Sequence, residues 1–180
     1  MDPYAYGQVV GARMQEAGYA VDGRHLASTG AVSGYRSQFR LRWAASRLHL
    51  FVTLGTVEVV TAEALEAHTR ATLEYAKQAR GGARGLQSGV AVVAALVGTT
   101  ATPDAESYAR TELVRHFAAF GWPVCVDLTS YRRTSHEGRP HVGALFTSWM
   151  REQIDLTLPE PWAVDADDGG RAERRGAPTA

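Results

Sequence analysis

Four side chains in this sequence could meet around one reacting or binding centre: Thr99, Thr100, Asp104 and Asp127. Thr99 and Thr100 lie in the turn Gly98-Thr99-Thr100-Ala101, after an apolar run from Val90 to Val97 and before a helix-start signal at Thr102-Pro103-Asp104. Open α/β sheets commonly bind ligands at such a point, because a strand's carboxyl end meets the free amides of a helix's first turn there. Asp127 closes a second apolar run, Val124-Cys125-Val126. If the two runs are neighbouring strands, Asp104 and Asp127 could share a cation or hold their pKa values apart, in a pocket for a phosphorylated or metal-linked small molecule. Competing readings are structural. Thr102 caps the helix, Asp104 and Glu106 complement its dipole while repelling phosphate, and Asp127 caps the turn Leu128-Thr129-Ser130. Neither G-x-x-x-x-G-K-[ST] nor G-x-G-x-x-G occurs at this turn. A nuclease-like carboxylate pair would want a nearby Glu-x-Lys, and the only lysine, Lys77, lies far off on a helix.

A second candidate is a basic face. Arg36, Arg40 and Arg42 recur at every second or fourth residue of an alternating segment, and Arg47 and His49 adjoin them on the next one. With Tyr35 or Phe51 for stacking, such a face could hold phosphates or a single strand of nucleic acid. The commoner role is a solvated strand face whose arginines pair with carboxylates of an overlying helix or a partner subunit. The zero formal net charge favours that role and gives no expectation of a nucleic-acid partner.

Other groups carry less. Arg80-Gly81-Gly82-Ala83-Arg84-Gly85 reads as a connector rather than an RGG tract. His116, His136 and His141 lack the spacing of a zinc site, and no metal or cofactor is expected. Cys125 sits between valines, where a thiol behaves as a small apolar group. The pairs Ser33-Gly34 and Ser88-Gly89 lack the strand-to-helix elbow of hydrolase serines.

The elements that must position these groups follow from periodicity and caps. Asp2 and Pro3 open a helix running to Ala17, with Gly18 as a left-handed cap and Tyr19 packing back. Asp22-Gly23 suggests a tight turn between short extended pieces within Tyr19 to Leu26, and Ser28 to Gly34 reads as loop. Tyr35, Phe39, Leu41 and Trp43 alternate with Arg36, Gln38, Arg40 and Arg42, predicting a strand from Tyr35 to Trp43 with one solvated face. Leu48, Leu50, Val52 and Leu54 alternate with His49, Phe51 and Thr53, and the short link predicts an antiparallel hairpin.

Thr61 caps a helix that ends near Arg80. The run Val90 to Val97 lacks alternation, as in a strand covered on both faces. Ala105, Ala109, Leu113, Phe117 and Phe120 predict a helix from Pro103 to Phe120, stopped by Gly121. The strand that follows should run parallel to Val90–Val97 through a right-handed crossover. Tyr131 to Ser135 is a candidate edge strand. Val142 to Leu156 reads as a last helix stopped by Pro159 and Pro161, with Trp122, Trp149, Phe117, Phe120 and Phe146 as core aromatics.

With 180 residues, 45% hydrophobic and 21% charged, the chain can bury one core of ordinary size without disulfides. The fold expected is α/β, with α+β as the alternative: a mixed sheet with an N-terminal antiparallel hairpin, then a parallel β-α-β crossover. One domain is expected over residues 1–158, followed by a disordered tail over 159–180, whose stretch from Asp165 has no large apolar residue. The amino terminus lacks a signal-peptide pattern and the longest apolar run is far short of the ~20 residues that span a bilayer, so a soluble, cytoplasmic protein without a membrane partner is expected. No motif assigns a chemical role. The preferred reading is a non-catalytic binding or assembly module, either homo-oligomeric or with an acidic protein partner, and the alternative is an enzyme or small-molecule-binding protein using the strand-end pocket.

Overall fold

Two strands buried on both faces, which cannot stay in solution without cover, set the architecture. A computed structural model describes residues 1–26, 29–43, 46–80, 88–116, 118–138 and 146–164. In chain order the elements are α1 (Pro3–Glu16), β1 (Ala20–Leu26), β2 (Thr29–Arg40), a 3-10 turn (Leu41–Trp43), β3 (Ser46–Thr56), β4 (Val59–Val60), α2 (Ala62–Arg80), β5 (Ser88–Gly98), β6 (Thr100–Ala101), α3 (Pro103–Thr111), β7 (Val114–His116), β8 (Ala119–Asp127), β9 (Arg132–Ser135) and α4 (Thr147–Thr157). The main sheet has the order β1-β2-β3-β5-β8-β7, and β9 also pairs with β8. Strands β1, β2 and β3 form an antiparallel meander, and β3, β5 and β8 are mutually parallel. This is the mixed α/β sheet with an N-terminal hairpin and parallel crossover that the periodicity implies.

Alternation along β3 assigns the layers. Leu48, Leu50, Val52 and Leu54 pack with Ala91, Val93, Ala95 and Val97 of β5 against Tyr6, Val10 and Met14 of α1 and Trp149, Met150 and Ile154 of α4. On the other face Phe51, Val90 and Val92 meet Leu73 and Ala76 of α2. Leu96 and Cys125 meet Leu65 of α2 and Ala105 and Ala109 of α3. Burial pushes the Cys125 thiol up to about 12, as suits its place as a small core side chain.

Local signals explain the element ends. Asp2 accepts from the Ala5 N–H at 2.8 Å, and Gly18 at φ 79° turns the chain so that the Tyr19 N–H reaches the Met14 carbonyl. Thr61 accepts from Ala64 and Thr102 from Ala105 through their hydroxyls. Arg133 of β9 closes the end of α4, donating to the carbonyls of Ile154 and Leu158 and pairing with Asp155 at 2.6 Å. Trp43 sits edge-on to both Trp149 and Phe146 at 5.1 Å.

Several expectations are corrected. Ser28 to Gly34 is strand rather than loop from Thr29 onward, and β1 is continuous through Asp22-Gly23. A Cβ on Gly34 would lie 2.8 Å from Met14 Sδ, so the small residue there lets α1 and Tyr19 approach the sheet rather than marking a turn. Helix α3 stops at Thr111, because Glu112 turns extended at ψ 148°. Val114–His116 then pairs back on β8, which begins at Ala119.

Leu113 and Phe120 fit a helical period, but Val114, Arg115 and His116 fit a strand, and the sheet flank beside β8 is open to take one. Trp122 and Pro123 fall in the gap on β8 between the pairing with β7, which reaches Gly121, and the pairing with β9, which starts at Val124, so proline's missing donor costs no ladder bond on that flank. The alternation of β2 ends at Arg40. The 3-10 turn buries Trp43 and leaves Leu41 78% exposed.

Residues 159–164, expected to open the tail, are packed in part: Tyr6 donates to the Pro159 carbonyl at 2.6 Å and Val164 joins the core, while Trp162 between them is exposed. The described part of the last helix starts at Thr147, and the expected stretch from Val142 to Leu145 lies outside the described residues, as do Phe117, His141, the connector 81–87 and the tail from Asp165. Among the described residues, no helix is long and apolar enough to cross a membrane.

Beneath α2 lies a buried polar cluster. Thr53 Oγ1 is 3.1 Å from both His68 Nε2 and Thr72 Oγ1. Burial holds the His68 imidazole neutral, with its pKa lowered from 6.5 to about 4. The unfolded chain therefore takes up this proton at a pH where the folded chain refuses it. The stabilisation is complete above pH 6.5 and is lost as pH falls toward 4. His49 and His136 are shifted in the same direction by burial. His68→Leu should flatten the acid side of the stability curve: between pH 7 and pH 4.5 the wild type should lose about 2 kcal/mol more than the variant in urea unfolding. Equal losses in the two proteins would show that His68 is not the group responsible.

Candidate functional site

The parallel register brings the strand ends together, but their polar groups are used by the backbone. Asp127 Oδ1 accepts from the N–H groups of Thr129 at 2.8 Å and Ser130 at 3.0 Å, and Oδ2 accepts from Ala101 at 3.2 Å. A carboxylate with three such donors acts as a clamp between β8 and β6. The Thr99 N–H donates to the Glu58 carbonyl, and the Thr99 carbonyl accepts from both the N–H and hydroxyl of Thr129. Thr100 pairs with Val59 in the β4–β6 ladder, and Asp104 is exposed in the first turn of α3. Gly98 shows how closely this end is packed: a Cβ there would lie 2.8 Å from the Thr100 carbonyl oxygen and 3.1 Å from that of Glu58.

The basic row is divided by the sheet. In the β2–β3 register Arg36 stands opposite Leu50, whereas Ser37 stands opposite His49 and Phe39 opposite Arg47. Directly opposed residues share a face, so Arg36 and Arg40 lie on the α1/α4 side and Arg47 and His49 on the α2 side. The Arg36 guanidinium donates to the Ala17 carbonyl at 3.1 Å and to Gln153 Oε1 at 3.4 Å, and lies over the Tyr19 ring. Arg40 lies over Trp43. Arg42 falls in the 3-10 turn, outside the alternation. The physical reason for the division is the ladder itself: a residue's partner across the sheet, rather than its charge, decides which side it shares.

That same register assembles a groove elsewhere. Helix α2 runs back along β3, so that His68 and Thr72 meet Thr53, Tyr75 meets Phe51, and Arg80 meets His49. It leaves part of the β1–β2 hairpin uncovered on its side. The resulting cavity, of about 330 Å³, is lined by Ala20, Val21, Asp22, Ser33, Tyr35, Phe51, Tyr75, Ala79 and Arg80. Its walls are aromatic: Tyr35 and Phe51 lie 4.9 Å apart between ring centres, and Tyr75 stands edge-on to Phe51 at 5.8 Å.

One hydrogen-bonded chain organises the polar end. His49 Nδ1 is 2.8 Å from the Tyr35 hydroxyl, and His49 Nε2 is 3.3 Å from Arg80 Nη2. A guanidinium has donors only, so Nε2 must be the accepting nitrogen. Burial first, then Arg80 and Arg47, lower the pKa of His49, so the ring is neutral and its one proton sits on Nδ1. Nδ1–H therefore donates to Tyr35, whose own O–H proton is left for another acceptor.

No protein-family model and no curated protein matches the chain. The groove residues are partly legible in the sequence. Tyr35, His49 and Phe51 stand in the alternating segments, but Arg80 falls in the connector motif, and Asp22, Ser33, Tyr75 and Ala79 carry no motif for a site. The usable signal is the second face of β3, where a histidine, an aromatic residue and a threonine at every second position mark a surface that is neither plain core nor plain solvent.

The clamp makes a graded prediction. Asp127→Ala removes the carboxylate from three backbone donors, of which Thr129 alone keeps a second acceptor in the Thr99 carbonyl, and should cost about 2 kcal/mol in urea unfolding, whereas Asp127→Asn keeps one accepting oxygen and should cost about half as much. Equal costs would contradict the clamp. A melting temperature that rises with millimolar Mg²⁺ in the wild type and not in Asp127→Asn would return the strand ends to consideration as a cation site.

Proposed function

We propose that this protein is a non-catalytic binding domain that takes a small, flat organic molecule in the groove between α2 and the β1–β2 hairpin. The observation that carries the reading is the aromatic-walled cavity of about 330 Å³ whose polar end is pre-set by the Tyr35–His49–Arg80 chain. Ligand sites characteristically combine apolar and aromatic walls with a few placed polar groups, at volumes from roughly 300 Å³ upward. A non-catalytic role is supported by the same chain: both ring nitrogens of His49 are engaged, so the imidazole has no lone pair to serve as a base toward the groove. The strand ends are the weaker candidate, since a ligand there would have to displace three backbone donors from Asp127.

Filling the groove tests this. Ala79 is exposed on the last turn of α2 and lines the cavity, so Ala79→Trp should occupy the mouth without disturbing the core. With indole as a neutral flat probe, amide NMR shifts in the wild type should concentrate on Ala20, Ser33, Tyr35, Phe51, Tyr75 and Ala79, and the affinity should fall at least tenfold in Ala79→Trp. Shifts that are absent, or that persist unchanged in the variant, would rule the groove out as a binding site.

A further inference from the structure

Donors without acceptors at the polar end of the groove identify the chemistry of its occupant. Resting on the groove being a binding site, we propose that it selects a flat aromatic monocarboxylate, held at its anionic end by Arg80 and the Tyr35 hydroxyl. Arg80 lines the cavity and its Nη2 stands 3.3 Å from His49 Nε2, yet its Nε is buried and has no hydrogen-bond partner among the described residues. A cationic donor taken out of water without an acceptor is costly, and an anion laid against the guanidinium offsets that cost through charge-assisted hydrogen bonds. The Tyr35 hydroxyl is in a related state. Its oxygen takes the His49 Nδ1 proton at 2.8 Å, which leaves its own O–H to donate elsewhere, and Tyr35 lines the same cavity.

These donors fit one carboxylate. They flank a single imidazole, the hydroxyl on the Nδ1 side and the guanidinium on the Nε2 side, and a carboxylate carries two oxygens, one for each. The ligand's ring lies along the aromatic wall, where Tyr35 and Phe51 are tilted by 45° and Tyr75 stands at 84° to Phe51, the tilted and edge-on contacts that aryl rings favour. Charge excludes the alternatives. An ammonium ligand meets like charge at Arg80, and Arg47, on the same face of the sheet as His49, adds to the repulsion. Asp22 also lines the cavity, but it already has an interaction partner, so no group of the ligand is assigned to it. A phosphate monoester brings about two negative charges and three acceptor oxygens to one guanidinium and one hydroxyl, and part of its charge is left desolvated and unpaired. An uncharged ring leaves the Arg80 guanidinium as it stands.

Matched probes that differ only in the charged group test this, first in the wild type, where no variant's folding bears on the outcome. By calorimetry near neutral pH, indole-3-carboxylate should bind at least about tenfold tighter than its isostere indole-3-carboxamide, and tighter than indole-3-phosphonate. Arg80→Gln should bring the carboxylate down to the level of the carboxamide while leaving the carboxamide within about threefold of its wild-type affinity, a constancy that also reports an intact groove. Tyr35→Phe, which keeps the ring and removes the O–H, should narrow the gap between the two without closing it. Equal affinities for carboxylate and carboxamide, both weakened by Ala79→Trp, would overturn this assignment and leave the groove as a site for flat molecules generally. A preference for the carboxylate that persists in Arg80→Gln, or a phosphonate that binds more tightly than the carboxylate, would overturn it as well. Absence of binding by all three probes would overturn both readings.

Discussion

The structure depends on a parallel pair, β3 and β5, whose centres are buried on both faces and must be covered twice. Leu48, Leu50, Val52 and Leu54 demand a partner layer on one side, and Phe51, Val90, Val92 and Leu96 demand one on the other. A parallel connection supplies the second cover automatically, because the chain must cross the sheet to start the next strand in the same direction, and α2 and α3 are those crossings. The first cover comes from outside the crossover, from α1 and α4 on one face, where Arg36 bridges the Ala17 carbonyl at the end of α1 and Gln153 of α4.

Covering β3, β5 and β8 with one long helix has a consequence at the hairpin. Helix α2 lies over the centre of the sheet and cannot also lie over β1 and β2, so the α2 side of the hairpin is lined by residues of intermediate character: Ser33, Tyr35, Asp22 and Ala20. Polar groups there are paired in part. Thr53, His68 and Thr72 form a cluster under the helix that leaves His68 Nδ1 without a partner, and Tyr35, His49 and Arg80 form a chain at its end. The first rigidifies the core. The second points unused donor capacity at a cavity, which is the reason to place a ligand there.

At the strand ends the same chemistry is spent differently. Asp127 has the residue type and position of a ligand-binding carboxylate, yet its oxygens hold the β6 strand and the turn after β8. Gly98 is needed because two carbonyl oxygens crowd the place a side chain would take. An acid at a strand end is therefore ambiguous in sequence: turn capping and metal or phosphate chemistry ask for the same residue, and only the donors around it tell them apart.

The one-dimensional pattern determined what depends on near neighbours. Asp2-Pro3, Gly18, Thr61 and Thr102-Pro103 act through atoms within a few residues. The alternating Leu48, Leu50, Val52 and Leu54 of β3, and the unbroken apolar run from Val90 to Val97, reflect burial that any cover would satisfy. Tertiary structure decided what depends on distant partners. Val114 to His116 became a strand because β8 had an open flank, Gly34 lies in a strand because Met14 and Tyr19 come down on it, and Arg36 parted from Arg47 because the ladder put them on opposite faces. The groove belongs to this second kind. Asp22, Tyr35, Tyr75 and Arg80 lie between positions 22 and 80 of the chain, and only the β1–β2–β3 register and the path of α2 bring them to one cavity.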